Sequence, residues 1–123
     1  MADDLHEKGI KLRAQLWGEE AARQRHEDFS KFDKFFADFL NDQLFAQIWT
    51  RPGLPIKTRS FITMAVLMAL GRGPELRTHM RGALNLGITP AEIKELIIHL
   101  SQYSGVPTAV EAIRALREVA SPD

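Results

Sequence analysis

Glu75 and His79 stand four residues apart in Glu75-Leu76-Arg77-Thr78-His79, and Arg72 stands three before Glu75. On a helix, at about 100° per residue, these three side chains project from one flank, beside an apolar stripe of Leu76 and Met80. Gly82 shares that flank and leaves room beside it. An imidazole at the edge of a core can be held in one tautomer, and a carboxylate one turn away raises its proton affinity. Such a pair can give a proton to a small anionic substrate or take one from it. The plainer alternative is a surface Glu–His pair worth about 0.2–0.5 kcal/mol. Spacing alone leaves both open.

A charge clamp for such an anion lies upstream. Trp49-Thr50-Arg51-Pro52-Gly53-Leu54-Pro55 is followed by Thr58-Arg59-Ser60, which puts an arginine-bearing turn just ahead of an apolar helix. Arginine's planar fork matches a carboxylate. Arg59 begins that apolar helix, where an unpaired charge is costly, so it calls for either an acid of the protein or a ligand. Arg77 and Arg81 fall on the flank opposite His79 and read as solvated or inter-subunit. Glu92, Leu96, His99 and Tyr103 share a flank of a later helix. They form either a second pocket wall or a polar seam between subunits, and the seam is the plainer reading. Ile98 points away from its own core stripe, which adds to the case for an interface.

The elements that must position these residues all read as helices. Leu5, Ile10, Leu12 and Leu16 make an imperfect helical stripe behind an Asp3/Asp4 cap. Gly18 to Glu27 is polar and reads as a loop or a loose turn of helix. Phe32, Phe35, Phe36, Phe39 and Leu40 define an amphipathic helix from about Ser30 into the forties, with its aromatic side in a core or an interface. Arg51-Pro52-Gly53-Leu54-Pro55 is a rigid turn. A helix from about Lys57 to Leu70 is apolar nearly all round, which predicts a central, buried element ending at Gly71 and Gly73. The next helix runs from about Pro74 to Leu86, with Leu76, Met80, Ala83 and Leu84 as its stripe and Gly87 closing it. Thr89-Pro90-Ala91-Glu92 reads as a capping box that opens a helix carrying Ile93, Leu96, Ile97 and Leu100. Gly105-Val106-Pro107 ends that helix and starts the last, to about Val119.

Composition narrows the function. The length of 123 residues predicts one domain with a modest core. Acids and bases balance at 16 each, so no global field draws the chain to nucleic acid or a membrane. Phe61–Leu70 is too short to span a bilayer, and Met1-Ala2-Asp3-Asp4 lacks the apolar run of a signal peptide. With no cysteine there is neither disulfide nor thiolate chemistry, and a cytoplasmic setting is the expectation. No two histidines have metal-site spacing, and Gly71-Arg72-Gly73 follows a helix and not a strand, so no metal or nucleotide cofactor is expected.

From Trp49 to Val119 the chain resembles the carboxymuconolactone decarboxylase family, which includes the AhpD-like alkylhydroperoxidases. The resemblance rests on Ile48–Pro55, Thr58-Arg59-Ser60, Ala69–Arg72, Glu75–His79, Gly87-Ile88-Thr89, Glu92–Glu95 and Tyr103–Pro107. Gly9 through Phe39 is similar to the N-terminal extension of the true decarboxylases. The family implies an all-α, AhpD-like domain of about six helices, with residues 1–47 as an extension and 48–120 as the core. It also implies a symmetric homo-oligomer, a trimer or hexamer. If the peroxidase Cys-x-x-Cys-x-x-x-His motif is laid on His79, its cysteines fall on Arg72 and Glu75, so disulfide chemistry is lost and the imidazole kept. Some decarboxylase relatives carry a cysteine where this chain has Ser104.

The reaction this resemblance implies is loss of carbon dioxide from 4-carboxymuconolactone to give 3-oxoadipate enol-lactone, in aromatic-acid breakdown through protocatechuate. The substrate is an anionic lactone whose carbonyl is its own electron sink, so no cofactor is required. On that expectation His79 is the proton donor and Glu75 orients and recharges it. Arg51, Arg59 and Arg72 anchor the carboxylate and the oxyanion, and Trp49 helps to wall the pocket. Action on another lactone or cyclic carboxylate, or a non-catalytic helical oligomer, are the competing readings.

Overall fold

The computed structural model describes residues 2–121, with side chains from Asp4 onward. Every secondary-structure element among the described residues is a helix: α1 (Ala2–Trp17), α2 (Glu19–Phe32), α3 (Lys34–Phe39), a π-helix (Leu40–Ile48), α4 (Ile56–Ala69), α5 (Gly73–Asn85), α6 (Pro90–Ser104) and α7 (Val106–Ala120). This is more than the six helices expected, because the polar stretch after Gly18 is helical and the Phe-rich segment is split at Asp33 and Leu40. The chain divides into two compact units, residues 1–56 and 57–123.

In the first unit, α1 packs against both α2 and the π-helix. Its buried stripe is Ile10, Leu12 and Leu16. Gly9 is where the backbones come closest: a Cβ there would lie 2.6 Å from the Asn41 carbonyl oxygen and 2.6 Å from its Nδ2. Asn41 is fully buried and donates from Nδ2 to the His6 carbonyl at 3.0 Å, tying α1 to the π-helix. Asp4 lies within the first turn of α1, not ahead of it, and the Asp3 side chain falls outside the described residues.

The polar stretch after Gly18 is a helix and not a loop. Gly18 takes φ +89°, which ends α1, and α2 follows at once. The helix has little apolar face, so side-chain pairs hold it. Arg23 takes Glu19 one turn back and also both carboxylate oxygens of Glu7 on α1, while Gln24 donates to Asp28. Asp33 then interrupts the expected Phe-rich helix. It is extended, and its carboxylate accepts from the Phe36 N–H at 2.9 Å as the N-cap of α3. Phe32 and Phe35 are each 79% exposed, and Phe36 and Phe39 are exposed too, so these rings are not core within the chain. They stack on one another instead, Phe35 on Phe39 and Phe32 edge-on to Phe36.

The second unit has one core, drawn from all four of its helices: Met64 and Met68, Leu76, Met80 and Ala83, Ile93 and Ile97, and Ala109, Ala112 and Ala115. Helix α4 is not buried all round as its composition predicts. Ser60, Met64 and Met68 form its buried line, whereas Ile62 and Val66, and Leu70 just past its end, are exposed. Gly71 takes φ +71° at the end of α4, as expected of a helix-closing glycine, but Gly73 is the first residue of α5. The capping box forms as expected: Thr89 Oγ1 accepts from the Glu92 N–H, and the Glu92 carboxylate accepts from the Thr89 N–H. Arg77 corrects the expectation of a solvated or inter-subunit arginine. It reaches from α5 to Glu111 and Glu118 of α7.

Candidate functional site

Helix α5 fixes His79 by its own stripe. Leu76, Met80 and Ala83 are buried, so the flank holding residues 75 and 79 lies at the core's edge. His79 is half-buried, and its Nδ1 is shielded from solvent. Glu75 is in the first turn of α5, where a carboxylate favours the positive end of the helix. Its side chain is exposed and makes no hydrogen bond or ion pair among the described residues. The structure therefore keeps Glu75 and His79 on one flank without joining them. Arg72 is the N-cap residue of α5, exposed, with no side-chain capping bond.

Arg59 lies in the first turn of α4 and is half-buried; its carbonyl accepts from the Thr63 hydroxyl at 2.9 Å. Next to it, Ser60 is fully buried. In the first unit, Trp49 is 6% exposed and stacks on Phe45, with centroids 6.2 Å apart. Arg51 follows in the turn, exposed, its N–H donating to the Ile48 carbonyl.

The second flank is partly a pocket wall. Glu92, Glu95, Leu96 and His99 line an open, mostly apolar groove of about 430 Å³ with Phe61 and Ala65 of α4. Tyr103 stands outside that groove, tilted against the His99 ring at 5.3 Å. Ile98 is 54% exposed, as expected, and lines a separate groove of about 400 Å³ with Ile113 and Leu116 of α7.

Sequence reasoning passed over Arg13. It is 2% exposed, and burial, followed by the charge of Arg25, lowers its pKa to about 10. Its Cζ lies over the Phe45 ring, 4.6 Å from the centroid. The signal was its place: three residues after Ile10 and three before Leu16, an arginine on the apolar side of α1. Nearby, His6 and His26 meet edge-on at 4.8 Å, and His26 Nε2 lies 3.6 Å from Asp38. Burial holds the His26 pKa below its ordinary value, and repulsion from His6 adds to this against the pull of Asp38.

Comparison with known proteins gives the chemistry a context. The profile described as "Carboxymuconolactone decarboxylase family" matches residues 35–118. The chain is 40% identical over 117 residues to a 4-carboxymuconolactone decarboxylase of Acinetobacter baylyi, covering 95% of this chain and 87% of that protein. It is 32% identical over 115 residues to the nitrosuccinic acid decarboxylase npaB of Metarhizium robertsii, covering 90% and 80%. An uncharacterised 15.0 kDa protein of Paracoccus denitrificans is 31% identical over 112 residues, covering 83% and 84%.

Proposed function

The chain belongs to the carboxymuconolactone decarboxylase family, and from that premise we propose that it removes carbon dioxide from 4-carboxymuconolactone to give 3-oxoadipate enol-lactone. The observation that carries this reading is the 40% identity, across 95% of the chain, to a relative named for that reaction. Both named relatives are decarboxylases, which supports carboxy-lyase chemistry independently of the substrate.

The leaving carboxylate is on a ring carbon conjugated through a double bond to the lactone carbonyl. As the bond to carbon dioxide breaks, its electron pair enters the ring and negative charge builds on the carbonyl oxygen. A proton then adds to the carbon beside that carbonyl, and the double bond comes to rest one position along. The protein has three tasks: to hold the carboxymethyl group, to stabilise the oxyanion and to deliver the proton.

We assign proton delivery to His79, whose half-buried position on the edge of the α5 core holds the ring and limits its access to water. Glu75, one turn away and in contact with solvent, suits recharging the imidazole more than orienting it. Arg51, Arg59 and Arg72 are the cations assigned to the carboxylate and the oxyanion, and Trp49 an apolar wall. A homo-oligomer and a cytoplasmic setting belong to the same reading. The exposed Phe32, Phe35, Phe39 and Ile98 support buried surface between copies, and the lack of cysteine fits a reducing compartment.

The test is turnover of the purified lactone, followed by carbon dioxide release. The wild-type protein is expected to decarboxylate it, and Arg59→Ala to raise KM about tenfold or more, as loss of a charged hydrogen bond implies. No turnover of this lactone by the wild type would overturn the reading.

A further inference from the structure

Within the N-terminal unit, a cationic and aromatic cluster remains that none of these steps employs. Arg13 Cζ lies over Phe45 at 4.6 Å, Phe45 meets Trp17 edge-on at 5.9 Å, and Arg25 Cζ lies over Trp17 at 5.0 Å. Two guanidinium groups thus bracket a pair of rings. Arg13 is 2% exposed, and its Nε and Nη1 are buried without a hydrogen-bond partner in the protein. Among the described residues no carboxylate forms an ion pair with either arginine; Glu7 and Glu19 pair with Arg23, and Asp38 with Lys34.

This arrangement is costly as a structural device. A guanidinium whose pKa falls only to about 10 is still charged at neutral pH, and a buried charge without a counter-ion destabilises a fold. The ring beneath Arg13 offsets part of that cost, but it offers no oxygen to the buried N–H groups. Arg25 adds a second positive charge in place of a negative one. A group kept at such a cost fits binding better than stability.

We propose that Arg13 and Arg25 form a binding site for a small carboxylate, which supplies the counter-charge they lack. A carboxylate is planar and slim, so it can accept from a guanidinium while lying against aromatic rings; a tetrahedral anion needs more room around a side chain this enclosed. The carboxylate comes either from the substrate, in which case the inference rests on the decarboxylase reading, or from a separate anion.

Sodium adipate is a suitable probe, with sodium chloride at equal ionic strength as the control. Thermal unfolding of the wild-type protein is expected to shift up by about 5 °C in adipate near tenfold its Kd. Arg13→Met, with the buried charge removed, should unfold at the same or a higher temperature than wild type without adipate, and its adipate shift should vanish. Arg25→Met should at least halve the shift. Turnover then separates the sources. A KM for the lactone raised tenfold in Arg13→Met, with a smaller change in kcat, assigns the site to the substrate; an unchanged KM alongside the lost shift assigns it to a separate anion. A wild type that binds adipate but does not turn over the lactone refutes the proposed reaction and leaves the carboxylate site standing. An adipate shift no larger than that of chloride, or one fully retained in Arg13→Met, overturns the site. If Arg13→Met does not fold, Arg25→Met decides: a full adipate shift there overturns it equally.

Discussion

Gly9 of α1 and Asn41 of the π-helix approach so closely that a single added carbon on Gly9 would sit 2.6 Å from the Asn41 backbone. The contact lets the Asn41 amide reach the His6 carbonyl, and it brings Phe45, one turn on, beneath Arg13. The N-terminal unit is thereby keyed at one point. Gly9→Ala is expected to destabilise the protein by about 1–3 kcal/mol, the usual cost of overpacking. The midpoint of urea unfolding measures it, and an unchanged midpoint would mean the two helices can separate at no cost.

Arg77 is the corresponding tie in the second unit. Its hydrogen bonds hold the Glu111 and Glu118 carboxyls below their ordinary value of 4.5. A carboxyl with a depressed folded pKa favours the folded state above the unfolded pKa, and that contribution is lost as pH falls through the folded value. Wild-type stability should therefore fall as the pH drops below about 4.5. Arg77→Met should be less stable at pH 7 and should lose less on acidification. Equal acid slopes in the two proteins would show that the pairs add nothing in solution.

His26 gives a second pH dependence, at higher pH. Its folded pKa lies below the ordinary 6.5, because burial and His6 disfavour its charge. The unfolded chain then binds the proton first, so stability present above 6.5 is lost as pH falls toward the folded value. The neighbouring charges act in both directions: Arg13 disfavours the charged ring, and Asp38 and Asp42 favour it. His26→Gln is expected to flatten the stability profile just below pH 6.5, where the unfolded chain takes up the proton before the folded one. A slope as steep as that of wild type would place the titrating group elsewhere.

Different kinds of signal made some elements legible and hid others. Helices α5 to α7 could be read closely, because caps and glycines mark their ends: Thr89 with Glu92, and Gly87 and Gly105 with φ of +93° and +98°. Helix α2 could not, because its support is long-range. Arg23 bonds Glu7, sixteen residues away, and periodicity does not register such a pair. The Phe-rich segment has helical spacing, yet Asp33 breaks it and its rings face outward, since spacing shows that a face exists and not what covers it. At the candidate site, the shared flank of Glu75 and His79 was legible from helix geometry, whereas Arg72 falls at the N-cap, before the helix proper. The missing Glu75–His79 bond was not, because it depends on rotamers. Arg13 was hidden by its charge, which reads as surface until the apolar residues three either side are weighed.

Carbon dioxide release by His79→Ala is the most direct measurement of the central claim, that the α5 imidazole quenches the carbanion formed when the lactone loses its carboxylate. With folding verified by circular dichroism, the account predicts kcat reduced by about 10²–10⁴, the usual contribution of a positioned acid, with a smaller change in KM. Turnover by His79→Ala within a few-fold of wild type would contradict it.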